Sequence, residues 1–591
     1  MPQPSAVYRD LLAKRAGTVD RLRERFRLLG NFRLGFFVIG LVAMIAVSVA
    51  GYNWWLLLAP FGAALIFMIA MGERLKRQIR LAGRSVTWYQ QALGRTERRR
   101  NDSGETGERF ADPSHPYSAD LDLFGRHSLF QLLSVCRTRA GEGMLADWLL
   151  NAAQADVIRE RHEAIRDLRD RLQLREDLAV LGEDFSSGVN PEALAAWSMA
   201  KPIAIPRGLR LAAAALSIVA AILLIGWVAT GFVNPAIRLG LIGVGVLEAG
   251  LFYRYRHQVL EIARGGEEPG HDLTLLSAVL ARLQQESFAT DGLRRLHAAL
   301  LSPQPASEAI RQLARRVALL DSRDHLLLRV VGPLVLWTTQ ASFALETWRQ
   351  RHGRSIPGWL EAVAELEALS SLAGYSYEHP EDVFPSIEDG EGRLRATGLA
   401  HPLLSDCVRN DVSLAEPARL AIVSGSNMSG KSTLLRAVGS NAVLAFAGGV
   451  VRAQEMSIAR MSLGAAIRVL DSLEDGVSRF YAEILRIRQI LDLPSPMLFL
   501  LDELLAGTNS HDRRIGAEAI LKALMNRGGI GLATTHDLAL ASIGDSLPST
   551  INIHFEDTIE DGRIRFDYKI RPGVVTRSNA LELMRSVGLE V

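Results

Sequence analysis

Residues 425–432, read as Gly425-Ser426-Asn427-Met428-Ser429-Gly430-Lys431-Ser432, satisfy G-x-x-x-x-G-K-[ST] without exception. Glycines at the two ends let the backbone fold tightly, so that successive N–H groups face phosphate oxygens. A helix opening near Thr433 adds its N-terminal dipole. Within such a loop Lys431 contacts the β- and γ-phosphates of a nucleotide and the Ser432 hydroxyl enters the shell of a magnesium ion. A second stretch, Met497-Leu-Phe-Leu-Leu501-Asp502-Glu503, is an apolar run ending in two carboxylates. Asp502 suits magnesium, directly or through water, and Glu503 suits the orientation or deprotonation of an attacking water. A third apolar run, 529–535, ends at His536, whose imidazole either touches the γ-phosphate or lytic water or caps a surface turn.

These residues need elements to position them. The runs 420–423 and 497–501 are short, apolar and bounded by Pro, Gly and Ser, and they alternate with helical patterns. That texture predicts an α/β domain with a parallel sheet from about residue 396 to the end. Upstream, 120–181 and 257–380 carry Leu, Ala, Arg and Glu at spacings of three and four, the signature of amphipathic helices. A chain of 591 residues exceeds one hydrophobic core. Five segments are expected: 1–85, 86–200, 201–256, 257–395 and 396–591.

Two of those segments are built around unusually apolar pairs. Residues 34–50 and 54–71 are uncharged arms of 17 and 18 residues about a Gly51-Tyr52-Asn53 turn. Crossing a bilayer core of about 30 Å takes roughly 17 to 25 residues. Arg21, Arg23, Arg25, Arg27 and Arg33 precede the first arm, and Arg74, Lys76, Arg77 and Arg80 follow the second, while the turn carries no charge. The positive-inside rule then puts both ends in the cytoplasm. A second pair, 211–233 and 236–253, has the same flanking pattern, although Glu248 lies inside its second arm, where an ionisable group is expensive. The expectation is two transmembrane hairpins in a multi-pass protein of the plasma or inner membrane, with both termini and the α/β nucleotide domain cytoplasmic. Buried core hairpins are the alternative. The run 330–345, interrupted by Pro333, Thr338, Thr339 and Gln340, reads as core.

Bulk composition adds exclusions. Lys plus Arg number 67 against 65 for Asp plus Glu, so any nucleic-acid site must be a local patch. Two cysteines, Cys136 and Cys407, are too few for a disulfide framework or a zinc site.

At this point the chain resembles the MutS family of ATPases. The family pattern T-G-P-N-M-x-G-K-S-T stands here as Ser424-Gly-Ser-Asn-Met-Ser-Gly-Lys-Ser-Thr433. D-E-x-x-x-G-T stands as Asp502-Glu-Leu-Leu-Ala-Gly507-Thr508, T-H-x-x-x-L as Thr535-His-Asp-Leu-Ala-Leu540, and S-x-F-x-x-E as Ser478, Phe480 and Glu483. The resemblance implies ATP and Mg2+ as cofactors, with residues from Gly425 to Thr433 around the nucleotide. It also implies a homodimer through the ATPase domains, in which Ser478 reaches the nucleotide of the other subunit. Fainter likeness covers 120–149, 359–372, His401-Pro-Leu-Leu404 and 579–589.

The departures are as informative. Nothing in the first 85 residues resembles the family's mismatch-reading domain, and the second apolar pair falls where the family extends its DNA clamp. The aromatic that stacks on adenine in the family is replaced near Cys407, in Cys-Val-Arg-Asn-Asp411. The resulting expectation is a membrane-anchored, MutS-like ATPase that binds and hydrolyses Mg-ATP and drives motion in its helical core. A DNA-binding mismatch-repair or damage-sensing ATPase is the alternative, and a transporter-type ATPase ranks last.

Overall fold

The computed structural model describes residues 3–51, 55–98, 104–182, 191–203, 207–267, 273–322, 329, 332–426, 428–468, 479–506, 508–537, 541, 543–560 and 563–575. The chain folds as two compact units. One comprises Met1–Val135, Leu145–Leu172 and Leu369–Val591, the other Cys136–Met144 and Gln173–Ala368. The first apolar hairpin therefore groups with the carboxy-terminal sheets, and the helical stretch 86–200 is shared, a division different from five consecutive segments.

In the first unit the helices Pro4–Val49 and Trp55–Arg98 run antiparallel. Phe61 lies over Gly40, where a side chain would collide with its ring, and Phe26 and Leu29 lie over Gly72. Far from the turn, Tyr8 packs among Trp88, Tyr89 and Tyr377. Arg95 there forms a two-nitrogen ion pair with Glu378, 2.7 Å at its shortest, and both side chains are buried.

Among the described residues ten strands follow: β1 (Ser386–Glu388), β2 (Leu394–Leu399), β3 (Asn410–Leu414), β4 (Leu420–Ser424), β5 (Glu455–Ala459), β6 (Ser462–Ala466), β7 (Met497–Leu501), β8 (Gly529–Thr535), β9 (Thr550–Glu560) and β10 (Arg563–Pro572). β1 and the start of β2 precede residue 396. A small sheet has the order β1-β5-β2-β3 and a larger one β10-β9-β4-β8-β7-β6. In the larger sheet every pairing is parallel except β9 with β10. β4, β7 and β8 are buried along their whole length, which is why they are near-continuous apolar runs rather than alternating, with hydroxyl residues only at the carboxyl ends of β4 and β8. Leu420, Ile422, Phe499, Leu501, Leu521 and Leu524 form the centre of the core between the sheet and the helix Ser510–Asn526.

The segment following the hairpin packs on the helix Lys431–Ala447. Leu121 packs so closely on Gly439 of the P-loop helix Lys431–Ala447 that an added Cβ would lie 2.5 Å from Leu121 Cδ2. Asp120 Oδ1 accepts the N–H groups of Ile467 (2.6 Å) and Arg468 (2.7 Å) just past β6.

In the second unit Arg207–Ala229 and Pro235–Glu267 are antiparallel, with Leu223 against Gly240. Glu248 is buried, and neither of its carboxylate oxygens has a hydrogen-bond partner among the described residues. The helix Trp337–His352 buries Phe343, Leu345 and Trp348, matching the core reading of that run. Its Arg349 pairs with Glu346 and donates to the carbonyls of Trp197, Ala200 and Lys201.

Among the described residues three helices are long and apolar enough to cross a membrane: Pro4–Val49, Gly208–Ala229 and Pro235–Ala263. The arm expected at 54–71 forms the apolar beginning of Trp55–Arg98.

Candidate functional site: a phosphate loop facing two carboxylates

Parallel register builds the site. β8 lies between β4 and β7, pairing Ser424 with Thr535 on one side and Leu501 with Ala533 on the other. The residues just past these strands must then emerge together at one sheet edge: the loop from Gly425, the acids Asp502 and Glu503, and His536.

Past β4 the chain turns through residues of positive φ at Gly425 (+152°), Met428 (+71°) and Gly430 (+107°). Glycine is needed at 425 on two counts, because a Cβ there would also lie 2.8 Å from Ser429 Oγ. The Lys431 ammonium donates to the carbonyl oxygens of Gly425 (2.9 Å) and Ser426 (2.7 Å). Burial pushes it below the ordinary lysine range, and the charges of Glu503 and Asp502 act in the opposite direction. Ser426 and Ser429 both hold buried hydroxyl oxygens with no hydrogen-bond partner among the described residues. Unpartnered hydroxyls beside a buried ammonium at a helix N-terminus are a donor set that fits phosphate oxygens.

Opposite the loop, Asp502 is held by its N–H, which donates to Ala466 O at 2.9 Å, and by its Oδ1, which accepts from the Thr534 hydroxyl. Glu503 has positive φ (+48°), and its N–H donates to Thr534 Oγ1 at 2.9 Å. His536 Nδ1 stands 3.3 Å from Glu503 Oε1. Ser432 and Asp502 together offer the hydroxyl and carboxylate oxygens that a hard cation such as Mg2+ takes.

A cavity of about 660 Å³ extends from the loop, with Lys431, Ser432 and Glu503 at one end and Cys407, Asn410 and Tyr568 also in its wall. Its volume suits a nucleotide-sized ligand. Met428, 85% exposed, stands at the rim.

Of the predicted residues, Gly425, Ser426, Met428, Ser429, Gly430, Lys431, Ser432, Thr433, Asp502, Glu503 and His536 fall at or beside this cavity. Asn427 and Ser478 lie outside the described residues, as do Gly507 and the stretch 579–589. Three contributors carried no assigned role in the sequence. Thr534 bridges the two acids. Glu483 is buried and accepts the N–H of Leu505 at 2.6 Å, fixing the turn after Glu503. Tyr568 supplies an aromatic ring where Cys407 offers none. Only Glu483 had a local signal, its place three residues after Phe480.

Comparison with known proteins adds to this geometry. Residues 421–590 match MutS domain V. Among curated relatives, the chain is 32% identical over 235 residues to DNA mismatch repair protein MutS 2 of Halobacterium salinarum, covering 39% of this chain and 27% of the relative. It is 34% identical over 236 residues to Endonuclease MutS2 of Thermus thermophilus, covering 40% and 31%. To DNA mismatch repair protein MutS of Syntrophomonas wolfei it is 30% identical over 238 residues, covering 39% and 28%. The chain thus spans under a third of the length of these relatives. Residues 421–590 are thus a MutS domain V, a P-loop ATPase domain, and the chain before it is mostly helical.

Proposed function

We propose that the protein is a membrane-anchored, MutS-type ATPase that binds and hydrolyses Mg-ATP and uses the cycle to drive conformational change in its helical core. The observation that carries the ATPase reading is the convergence of Lys431, Asp502, Glu503 and His536 at the carboxyl ends of β4, β7 and β8, beside a nucleotide-sized cavity lined by Lys431, Ser432 and Glu503. Lys431 and the loop N–H groups bind the phosphates, and Ser432 and Asp502 would hold magnesium, which would neutralise phosphate charge. Glu503 takes the proton of the attacking water, and His536, 3.3 Å away, orients its carboxylate. The likeness of the 478–483 stretch to the family signature supports a composite site in a homodimer, with Ser478 reaching the nucleotide held by a second copy.

Anchoring is supported by the apolar helices. Along 34–49, Leu34, Val38, Ile39, Val42, Ile45 and Val49 are each at least half exposed. Burying such a side chain is worth about 1.5–3 kcal/mol, so a continuous exposed face of them is strongly unfavourable in water and favourable in lipid. The flanking arginines and lysine favour a topology with both termini and the ATPase domain on the cytoplasmic side of the plasma or inner membrane.

The second reading, a DNA-binding mismatch-repair or damage-sensing ATPase, is favoured by the names of the relatives. It expects ATP turnover stimulated by duplex DNA with a steep salt dependence.

One experiment separates the two. Membranes bearing the full-length protein are washed with alkaline carbonate, and the detergent-solubilised material is assayed for ATPase with and without duplex DNA. Retention with DNA-independent turnover is expected; release into the wash with DNA-stimulated turnover overturns the anchored reading. In the same assay Lys431→Ala abolishes nucleotide binding and Glu503→Gln binds nucleotide without turnover. Unchanged rates in both variants would mean that the site is elsewhere.

A further inference from the structure

We propose that the basic collar at the foot of the first helical hairpin is a docking surface for the phosphate headgroups of anionic phospholipids. The proposal rests on the anchored reading above and adds a partner to it.

The collar is assembled by the register of the two helices. Phe61 over Gly40, and Phe26 with Leu29 over Gly72, set residues 21–33 of the first helix beside 68–80 of the second. Arg21, Arg23, Arg25, Arg27 and Arg33 on one helix are exposed, as are Arg74, Lys76, Arg77 and Arg80 on the other. Across 20–33 and 72–80 these nine cations meet only three acids, Asp20, Glu24 and Glu73. Glu73 is engaged by Lys76 at 2.8 Å. The hydrogen bond and charge of Lys76 hold its carboxyl below the usual range, with Arg80 and Arg33 adding to the effect from both helices. Cationic charge therefore reaches the foot of the hairpin from both helices.

Placement selects the partner. Both helices pass without a break from the apolar arm into the basic region, so no linker separates the collar from the bilayer edge. At about 1.5 Å per residue, Arg33 and Arg74 stand within about 5 Å of the last apolar turn, Arg77 and Arg27 near about 10 Å, and Arg21 near about 20 Å. A headgroup layer is roughly 5–7 Å deep, and the Debye length at physiological salt is about 8 Å. The proximal cations thus fall within reach of lipid phosphates and the distal ones do not. A nucleic-acid duplex approaching the same cations would be repelled by those phosphates, which leaves the lipid as the complementary occupant.

The test titrates detergent-solubilised full-length protein with dioctanoyl phosphatidylglycerol and, separately, dioctanoyl phosphatidylcholine, counting bound lipid by native mass spectrometry. The anionic lipid is expected to bind at least about fivefold more tightly, roughly the contribution of one cation near a charged surface. A variant with Arg33→Gln, Arg74→Gln and Arg77→Gln loses that preference. Arg21→Gln with Arg23→Gln retains it within about twofold, and ATP turnover in detergent is unchanged in both, showing that they fold. Equal binding of the two lipids overturns the proposal, as does a distal variant that loses as much as the proximal one. Displacement of bound lipid by a short DNA duplex, with loss of duplex binding in the proximal variant, reassigns the collar to nucleic acid. The carbonate wash keeps the two ideas apart: protein retained in the membrane without lipid preference sinks the collar alone, whereas protein released by the wash sinks the anchored reading.

Discussion

Thr534 donates its hydroxyl hydrogen to Asp502 Oδ1 and, through the same oxygen, accepts the backbone N–H of Glu503 at 2.9 Å. One side chain on β8 therefore orients the carboxylate assigned to magnesium and fixes the backbone of the carboxylate assigned to water. Glu503 needs the second contact, since its φ of +48° lies where a non-glycine residue is strained. Thr534→Val keeps shape but leaves an acceptor and a donor without a partner, a loss on the order of 1–3 kcal/mol. We expect the magnesium concentration for half-maximal turnover to rise several-fold and the maximal rate to fall about tenfold, with Thr534→Ser restoring both. A magnesium titration of ATPase activity reads this directly, and a Thr534→Val curve overlying that of the parent would remove Thr534 from the site.

The Arg95–Glu378 pair lies in the same unit. Its side chains are only 4% and 3% exposed, and Tyr8 Oη donates to Glu378 Oε1 at 3.3 Å. Removing one member leaves a buried charge unmatched, which costs about 3–5 kcal/mol, whereas removing both need cost little. Arg95→Met should therefore lower the melting temperature sharply, and Arg95→Met with Glu378→Met should recover most of the loss. Additive losses in that cycle, followed by thermal melting in detergent, would show that the pair is not coupled.

How much of this was legible from sequence depends on whether a feature is local. The phosphate loop was, because its glycines, lysine and serine act within eight residues of one another. The strands β4, β7 and β8 were, because burial on both faces makes them nearly continuous apolar runs. Thr534 was not: its role follows from the parallel register of β7 with β8, and register is invisible in one strand alone. Asp120 reaches Ile467 and Arg468 across about 347 positions, a contact that no spacing announces. β1 and the start of β2 escaped because they are short and lie before the change of texture at 396.

Two buried imidazoles give the folded state an acid limb. Burial, aided by Arg436 and Arg452, pushes His401 down to about 4, and burial with Arg166 does the same to His162. Unfolded histidine titrates near 6.5, so between these values the unfolded chain binds more protons. Their contribution is full above about pH 6.5 and is lost as pH falls toward 4, on the order of 3 kcal/mol each. Glu367, raised to about 7 by burial, works the other way, contributing fully below about 4.5 and fading as pH rises through 7. Comparing the parent with His401→Gln cancels that background. Calorimetric melting from pH 7 to 4.5 should show a shallower acid decline in the variant; parallel curves would mean that His401 takes up its proton in the folded state as readily as in the unfolded one.

Tyr568 bears on which base the cavity accepts. It sits at a register shift in the β9–β10 hairpin with φ of +54°, a conformation that a tyrosine keeps only where its surroundings impose it. Asn410 imposes it from both sides, donating to Tyr568 O at 2.9 Å and accepting the N–H of Ile570 at 2.9 Å. The ring is thereby held beside Gly430, where an added Cβ would lie 3.2 Å from its Cδ1, in the same cavity wall as Cys407. Stacking of a base on an aromatic ring is worth about 1–3 kcal/mol. Tyr568→Ala should accordingly weaken ATP binding about tenfold, Tyr568→Phe should preserve it, and inorganic triphosphate should bind all three proteins alike. Equilibrium competition against a fluorescent nucleotide measures each affinity. Equal loss for ATP and triphosphate would mean that the ring supports the phosphate loop through Gly430 and makes no contact with the base.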